Sequence, residues 1–547
     1  MQKEQENFDH LPGYKTRWLG LLFISISLVV ISLDNTILNV AIPSISRSLG
    51  AGASELQWII DAYILVFASL LLTMGALGDR YGRKRLLQFG LVMFGLGSLA
   101  AGLSTSTNML IASRAFLGIG GAVIMPSTLS IISASFPQHE RSQAFALWAA
   151  VFGLGIGIGP VVGGFLLKYY EWNAVFFVNL PVVVVALIGG AYTLAESKDE
   201  HAPKIDVPGV LLSIAGLVAL VYGIIEAGSR GWTDPQILAA FGTSIVLLGV
   251  FTWWENRNPD AMLPLHFFKN MSFTGANVAM VMVMFGMFGS IFFLSQYFQS
   301  ILGYTALEAG IRLLPLALTI MVVSASSARI AEKLGTKIIV ALGIAVAGTG
   351  LLLMAQFYAV DTSYSTIAPT IIVLAAGMGL TFSPATNSIM QSIPVNKAGI
   401  GSAMNDTTRQ LGGALGVAVL GTLMNKTYLE EITALSSLPE QYPIPQAQFD
   451  QLYGYISSSI QGAHLAVANA PALLPDAMKD TIIATANNAF VTGMTEAMTI
   501  GAIIMFGASL FALAVLPAQV QRPKEKEGDS SAKLSADGIA VQPASGD

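Results

Sequence analysis

Ionisable side chains stand inside long apolar stretches of this sequence, among them Asp34, Asp61, Arg114 and Asp406. A charge in bilayer hydrocarbon costs about 2.5–3.5 kcal/mol even on a lenient insertion scale, so each must be paired, face a wet cavity, or both. A carboxylate so placed has one chemistry open to it that needs no covalent step. It holds a proton or a cationic ligand, one at a time, and intramembrane acids of this kind mark proton relays. At about 1.5 Å per residue, Asp34 lies about 6 Å below the outer end of an apolar run over 18–38. Asp61 lies about 8 Å below the outer end of a run over 56–77, and Arg114, in a run over 109–132, falls at about the same depth. Three charges are thus expected at one level, two acids against one base. A buried salt-bridge network would lock helices together but leaves the surplus carboxylate unexplained. Asp406 and Arg409 stand three residues apart on one helix face, where the pair can satisfy itself, so a structural and a functional role are both open there. Glu308 and Arg312 read as an outer-edge pair, and Glu226 as interfacial.

Soluble-enzyme signatures are missing. The chain contains no G-x-G-x-x-G, no P-loop and no G-x-S-x-G. Its five histidines (His10, His139, His201, His266 and His464) fall in loops, far apart and without metal-ligand spacing. There is no cysteine, which excludes disulfides, iron–sulfur clusters and thiolate zinc sites. Neither a metal nor a cofactor is expected, and the chain does not read as an enzyme.

The elements that position the charges follow from composition. Charged residues make up 11% of the 547 positions, apolar residues 54%, and the mean hydropathy is +0.65. A soluble domain carries about 25% charged residues, and this chain has too few to cover a water-facing surface. An all-α polytopic membrane protein is implied, and the net charge of -5 offers no basic footprint for nucleic acid. Apolar runs long enough to cross a bilayer fall near 18–38, 56–77, 86–104, 109–132, 144–167, 174–195, 207–226, 236–254, 273–298, 308–328, 338–358, 366–390, 399–424 and 493–516. With the N-terminus inside, 20 of the 28 Lys and Arg residues lie on the cytoplasmic side, five outside and three within helices. A missed or false span would invert every later loop and spoil that bias. Fourteen spans with both termini in the cytoplasm are therefore expected, without a cleavable signal.

A weak internal repeat organises the runs. Gly78-Asp79-Arg80-Tyr81-Gly82-Arg83-Lys84 and Ala331-Glu332-Lys333-Leu334-Gly335-Thr336-Lys337 share acid, base, glycine and lysine at a fixed offset. Two parallel six-helix halves would put the copies six spans apart, but they lie eight apart, so two helices are inserted between the halves. The expected organisation is a cytoplasmic N-terminus over 1–17, a first bundle over 18–195, a linker with two extra spans over 196–272, a second bundle over 273–516, and a disordered cytoplasmic tail over 517–547. The second bundle contains an external connection over 425–492. In it Phe449, Leu452, Tyr453, Ile456 and Ile460 fall at helical spacing, and Pro471 and Pro475 then break the chain.

Glycine supplies the last signal. The run over 144–167 carries Gly153, Gly157, Gly159, Pro160, Gly163 and Gly164, spaced for close helix approach around a proline that bends the helix, a surface suited to sealing one half against the other. Together with this run, three further motifs resemble the fourteen-helix drug–proton antiporter branch of the major facilitator superfamily. They are Gly75-x-Leu77-Gly78-Asp79-Arg80-x-Gly82-Arg83-Lys84, Leu33-Asp34-Asn35-Thr36-Ile37-x-Asn39-Val40-Ala41-Ile42-Pro43, and Leu110-x-x-x-Arg114-x-x-Leu117-Gly118-x-Gly120. The last departs from the family pattern at Leu117, where a polar residue is usual. The resemblance covers nearly the whole chain. It implies that Asp34 and Asp61 bind cation or proton, that Arg114 couples to the proton, and that Asp79, Arg80, Gly82 and Arg83 gate together with the glycine-rich helix.

The function so implied is efflux of amphipathic, cationic compounds across the cytoplasmic membrane by alternating access, with the proton gradient as energy source. The partners are a small-molecule substrate, protons and the bilayer, and the unit is a monomer. Two alternatives stand beside it: an exporter of one metabolite or lipid on the same architecture, and a non-transporting membrane sensor, which fits the intramembrane charges poorly.

Overall fold

The computed structural model describes residues 11–51, 53–200, 206–258, 261, 263–438, 442, 445–469 and 475–521. Regular structure in them is helical throughout. The long helices of the first half are α1 (Arg17–Leu49), α2 (Ala53–Tyr81), α3 (Arg83–Gly102), α4 (Thr107–Ser135), α5 (Gln138–Tyr169) and α6 (Asn179–Thr193), the last preceded by a helical turn, Ala174–Phe177. Next come α7 (Val207–Arg230) and α8 (Pro235–Glu255). The second half holds α9 (Met271–Gln296), α10 (Ala306–Leu334), α11 (Thr336–Phe357), α12 (Tyr364–Gln391) and α13 (Ala398–Ile432). It then adds two shorter helices, α14 (Gln446–Ser458) and α15 (Ile460–Asn469), and ends in α16 (Asp476–Val515).

Thirteen of the described spans are long and apolar enough to cross a membrane. The remaining expected run lies in α13, whose Asp406, Arg409, Lys426, Glu430 and Glu431 make it more polar and which packs against α2, α4, α7, α9 and α16. Local chemistry sets where spans begin. Ser106 accepts a hydrogen bond from the Met109 amide at the start of α4, and Asp206 and Asp234 cap α7 and α8 ahead of a proline in the first turn. Thr305 and Glu308 form a capping box on α10. That box corrects the expected Glu308–Arg312 pair: the carboxylate accepts from the Thr305 amide at 2.8 Å, while Arg312 lies 3.8 Å over the Tyr304 ring and donates to the Glu308 carbonyl. Glu226 instead accepts from Arg230 at 2.8 Å.

The long connection is shorter than hydropathy implies. α13 continues to Ile432 and α16 already begins at Asp476. Tyr428, Ile432, Met478, Ile482 and Ala486 are buried there, so packing carries both helices past their apolar runs. Phe449, Leu452 and Ile456 form the buried face of α14, Tyr453 is half-buried beside them, and Ile460 opens α15. Pro475 precedes α16 as its cap, whereas Pro471, residues 1–10 and the tail from 522 onward lie outside the described residues.

In the first bundle α4 packs on α2 and α3, and α5 on α1. In the second, α12 packs on α10 and α11, α16 on α11 and α13, and α9 on α13. The bundles meet where α5 lies along α10 and where α2 and α4 cross α13. α8 packs on α7, and α7 fills the groove beside α2 and α13. The repeat is visible in backbone detail. Gly82 and Gly335 both turn the chain with positive φ, at 116° and 88°. The next amide in each copy donates to the strap that follows its bundle, Arg83 N to Ser197 O and Thr336 N to Ala518 O, both at 3.0 Å.

The glycines of α5 resolve into two faces. A Cβ on Gly153 would come 2.3 Å from Ile320, one on Gly157 2.2 Å from Ala317, and one on Gly164 2.8 Å from Leu307, all across the seam on α10. Gly310 of α10 in turn abuts the Pro160 backbone. Gly159 and Gly163 point the other way: a Cβ on Gly159 would fall on the Thr36 hydroxyl and one on Gly163 would crowd Ile37, both on α1. Gly157→Leu and Gly159→Leu should therefore fail differently. Each overpacks a contact by about 1–3 kcal/mol. Gly157→Leu should keep its thermal midpoint but lose oxidative cross-linking between cysteines introduced at non-glycine positions on the facing sides of α5 and α10, whereas Gly159→Leu should melt earlier and keep the cross-link. Equal cross-linking yields in the two variants would contradict the two-face assignment.

Candidate functional site

Asp34 is fully buried, at 0% exposure, and its two oxygens are held from different helices. Arg114 of α4 donates from Nη1 to Asp34 Oδ2 at 2.5 Å. Asn179 of α6 donates from Nδ2 to Asp34 Oδ1 at 3.2 Å and also to Ser98 Oγ of α3 at 3.0 Å. Arg114 directs Nε to the Ile59 carbonyl at 3.1 Å, and its guanidinium lies 4.5 Å over the Tyr63 ring of α2. One ion pair thus joins α1, α2, α3, α4 and α6. Two charges removed from water repay their desolvation only when the remaining donors and acceptors are also satisfied, and here the carboxylate gains an amide and the guanidinium a carbonyl and a ring face. Asn179 and Ser98 were missed by a search for charges. An asparagine inside the apolar run over 174–195 was the available signal, because its amide is costly to bury without partners.

Asp61 does not join this centre. Ile59 and Tyr63, four residues apart on α2, face Arg114. Two residues beyond Ile59 the helix has turned by about 200°, so Asp61 points away. The groups that act on it are Gln57 of the same helix and Glu226 of α7. At the same α2–α7 contact Trp58 stacks on Tyr222, with centroids 6.4 Å apart. The three-charge cluster expected from depth is therefore two sites: a balanced Asp34–Arg114 pair inside the bundle, and Asp61 within reach of the Glu226 charge where α7 meets it, Glu226 itself pairing with Arg230.

Asp406 and Arg409 lie close enough for each to feel the other's charge, but no hydrogen bond or close ion pair joins them. Asp406 Oδ1 accepts from Asn405, its Oδ2 has no hydrogen-bond partner, and neither has any guanidinium nitrogen of Arg409. Arg409 is instead enclosed by rings, 3.8 Å from the centroid of Phe152, 4.9 Å from Trp148 and 5.5 Å from Phe382. The helical spacing was legible, but the rotamers that turn the two side chains apart were not.

The loop motif forms a latch between bundles. Asp79 Oδ1 accepts from Arg83 Nη2 at 2.7 Å and from the Gly399 amide at 2.9 Å, and Oδ2 accepts from the Ile400 amide at 3.2 Å. Gly399 and Ile400 belong to the first turn of α13, whose amides have no partner within the helix and carry its positive dipole end. Arg83 closes the latch from the same direction, donating to Val395 O at 2.7 Å and Asn396 O at 3.3 Å. A Cβ on Gly75 would sit 2.3 Å from the Gly399 carbonyl, so α2 and α13 cross backbone to backbone just above it. Gly82 leaves room for Glu196, which accepts from the Lys84 and Arg85 amides at 3.1 Å and so caps α3 from the far side of the bundle. Arg80, by contrast, lies 5.8 Å over the Tyr81 ring and is half-exposed.

Comparison with known proteins bears on the family and the fold. The sequence pattern of the Major Facilitator Superfamily matches residues 24–417. The chain is 33% identical over 494 residues to the multidrug efflux pump LfrA of Mycolicibacterium smegmatis, covering 90% of this chain and 95% of that one. It is 32% identical over 492 residues to the methyl viologen resistance protein SmvA of Salmonella typhimurium, covering 88% and 95%. Among solved structures it is similar to the proton:xylose symporter XylE, with a TM-score of 0.58 at 12% identity over 92% of this chain and 96% of that one, a likeness of fold.

The latch predicts a measurable weakness. Asp79→Asn keeps one acceptor oxygen but loses the charge that two amides and Arg83 share, and a hydrogen bond to a charged group contributes about 1.5–3 kcal/mol. Because the sequence has no cysteine, Ser402→Cys, at a buried position on α13, gives a unique reporter. Asp79→Asn should raise the maleimide labelling rate of that cysteine about tenfold. An unchanged rate would show that the latch does not hold α2 and α13 together.

Proposed function

This chain belongs to the major facilitator superfamily of membrane transporters, and we propose that it exports amphipathic, chiefly cationic compounds across the cytoplasmic membrane in exchange for protons. The observation that carries the reading is the Asp34 carboxylate, fully buried and held by Arg114 and Asn179 at one joint of five helices. The two relatives described above are by name a multidrug efflux pump and a methyl viologen resistance protein, and methyl viologen is an organic dication. In the proposed cycle Asp34 is neutralised by Arg114 when empty and by a proton or a cationic ligand when occupied. Occupation frees Arg114, which keeps the Ile59 carbonyl and the Tyr63 face, and so changes how α1 sits against α4. A ligand shifts the balance of two conformations only through such a difference in contacts. Lys and Arg crowd the α2–α3 side of the bundle, which we assign to the cytoplasm with both termini. The Asp79–Arg83 latch then closes the inner side and the α5–α10 seam the outer side, opening in alternation in a monomer driven by the proton gradient alone.

The test uses everted vesicles with an imposed pH gradient and a fluorescent monocation. Asp34→Asn has nearly the same shape and hydrogen-bonding capacity but cannot titrate. It should reach the membrane and lose gradient-driven transport, with neutral ligands less affected. Cation binding to the wild type should weaken as the pH falls, because protons then occupy the acid, and this dependence should flatten in Asp34→Asn. If Asp34→Asn and Asp61→Asn both retain the wild-type profile and transport, these acids are structural and the reading fails.

A further inference from the structure

Among the described residues, three arginines with little or no exposure lie in the helix bundles, and two of them direct donors to the protein. Arg83 bonds Asp79 and two carbonyls, and Arg114 bonds Asp34 and the Ile59 carbonyl. Arg409 is 2% exposed and its Nε, Nη1 and Nη2 have no hydrogen-bond partner. Its faces are occupied by Phe152, Trp148 and Phe382. A guanidinium carries its five N–H donors in the plane of the group, so ring stacking leaves all of them unused at the edge. A buried donor left unmatched costs about 1–3 kcal/mol, more when charged. The protein nonetheless brings no acceptor within hydrogen-bond reach of it, and Asp406 acts on it only as a nearby charge. Asp406, one turn earlier, leaves its own Oδ2 unmatched, and the hydroxyls of Ser383, Ser402 and Thr407 on α12 and α13 are also without partners.

The place is where a transporter binds its cargo. Arg409 lies about 16 Å into α13, and Trp148 and Phe152 lie about 15 and 21 Å into α5, near the middle of a hydrocarbon layer about 30 Å thick. α5 belongs to the first bundle and α12 and α13 to the second, so the cluster sits on the seam between the two repeats. Its wall is fixed in advance: Trp148 Nε1 donates to Thr128 Oγ1 at 2.9 Å, and its ring stacks on Phe152 with an interplanar angle of 7°.

We propose that Arg409 is a substrate-binding residue that receives an anionic oxygen of the transported molecule, and that Trp148, Phe152 and Phe382 select molecules in which that oxygen is borne by a flat aromatic system. Carboxylate and phenolate fit the in-plane fork of the guanidinium, and a planar ring fits the aromatic wall. The inference rests on the export reading and widens its substrates from cations to aromatic anions and zwitterions. Asp34 and Arg409, on different helices and at different depths, then serve the two ends of ligand charge.

Fluorescein and rhodamine 123 test this, because they share a xanthene skeleton and carry opposite charge. Their binding to the purified full-length protein in lipid nanodiscs is followed by fluorescence anisotropy. The wild type should bind both. Arg409→Gln should weaken fluorescein about tenfold or more and leave rhodamine 123 unchanged. Arg409→Lys keeps the charge but not the fork, and should also weaken fluorescein selectively, which preserves the test if Arg409→Gln does not fold. Wild-type protein that binds rhodamine 123 but not fluorescein overturns the inference and leaves the export reading standing. Binding of neither probe overturns both. Equal weakening of the two probes in the arginine variants makes Arg409 a packing residue and overturns the inference alone.

Discussion

A charge carried into the hydrocarbon of a bilayer has no water to answer it, so another group of the same protein must. The Asp34–Arg114 pair is the point at which this chain meets that demand most completely. Satisfying one carboxylate takes an arginine from α4 and an asparagine from α6, and satisfying the arginine takes a carbonyl and a ring from α2. The rotation and depth of these helices are thereby fixed relative to one another. A pair of well-packed apolar residues would often stabilise a core as well or better, so stability alone does not account for the charges. The proposed export cycle does, because it uses a joint whose strength depends on whether one oxygen is charged.

The two contacts between bundles are built from different materials. Along α5 and α10 the glycines and proline of one helix meet leucine, alanine, isoleucine and glycine of the other, brought together by shape. Such a surface carries few directional bonds, so parting it forfeits packing and little else. Where α2 meets α13 the backbones also touch, at Gly75 and Gly399, but there Asp79 and Arg83 add charge-assisted bonds to the end of the partner helix. One seam is smooth and the other is latched. The internal repeat reproduces the turn but not the latch: Gly335 and Thr336 repeat the backbone roles of Gly82 and Arg83, while Glu332 and Lys333 are exposed.

Arg114 and Arg409 show how the same residue type does opposite work in one bundle. Both lie against aromatic rings. Arg114 is engaged by the protein at Nε, at Nη1 and on its face, and holds helices in place. Arg409 has its faces engaged and its edge open. Burial alone does not separate the two, since each is almost wholly excluded from solvent. The accounting of donors does.

The sequence by itself determined what a one-dimensional pattern can carry. Apolar length gave the spans, because bilayer thickness fixes how many residues a helix needs. Charge between the spans gave an expected orientation, and the offset between the Asp79 and Glu332 motifs gave an expected place for an inserted pair. Depth placed Asp34, Asp61 and Arg114 at one level because rise per residue is constant. What depth omits is rotation about the helix axis and choice of rotamer. These separated Asp61 from Arg114, gave Asp34 to Asn179, divided the α5 glycines between α1 and α10, and turned Arg409 from Asp406 toward three rings. They depend on which neighbour each helix face meets, and α5 and α13 each meet helices of both halves of the chain. Only the folded protein decides that, because a contact between residues hundreds of positions apart leaves no period in the sequence.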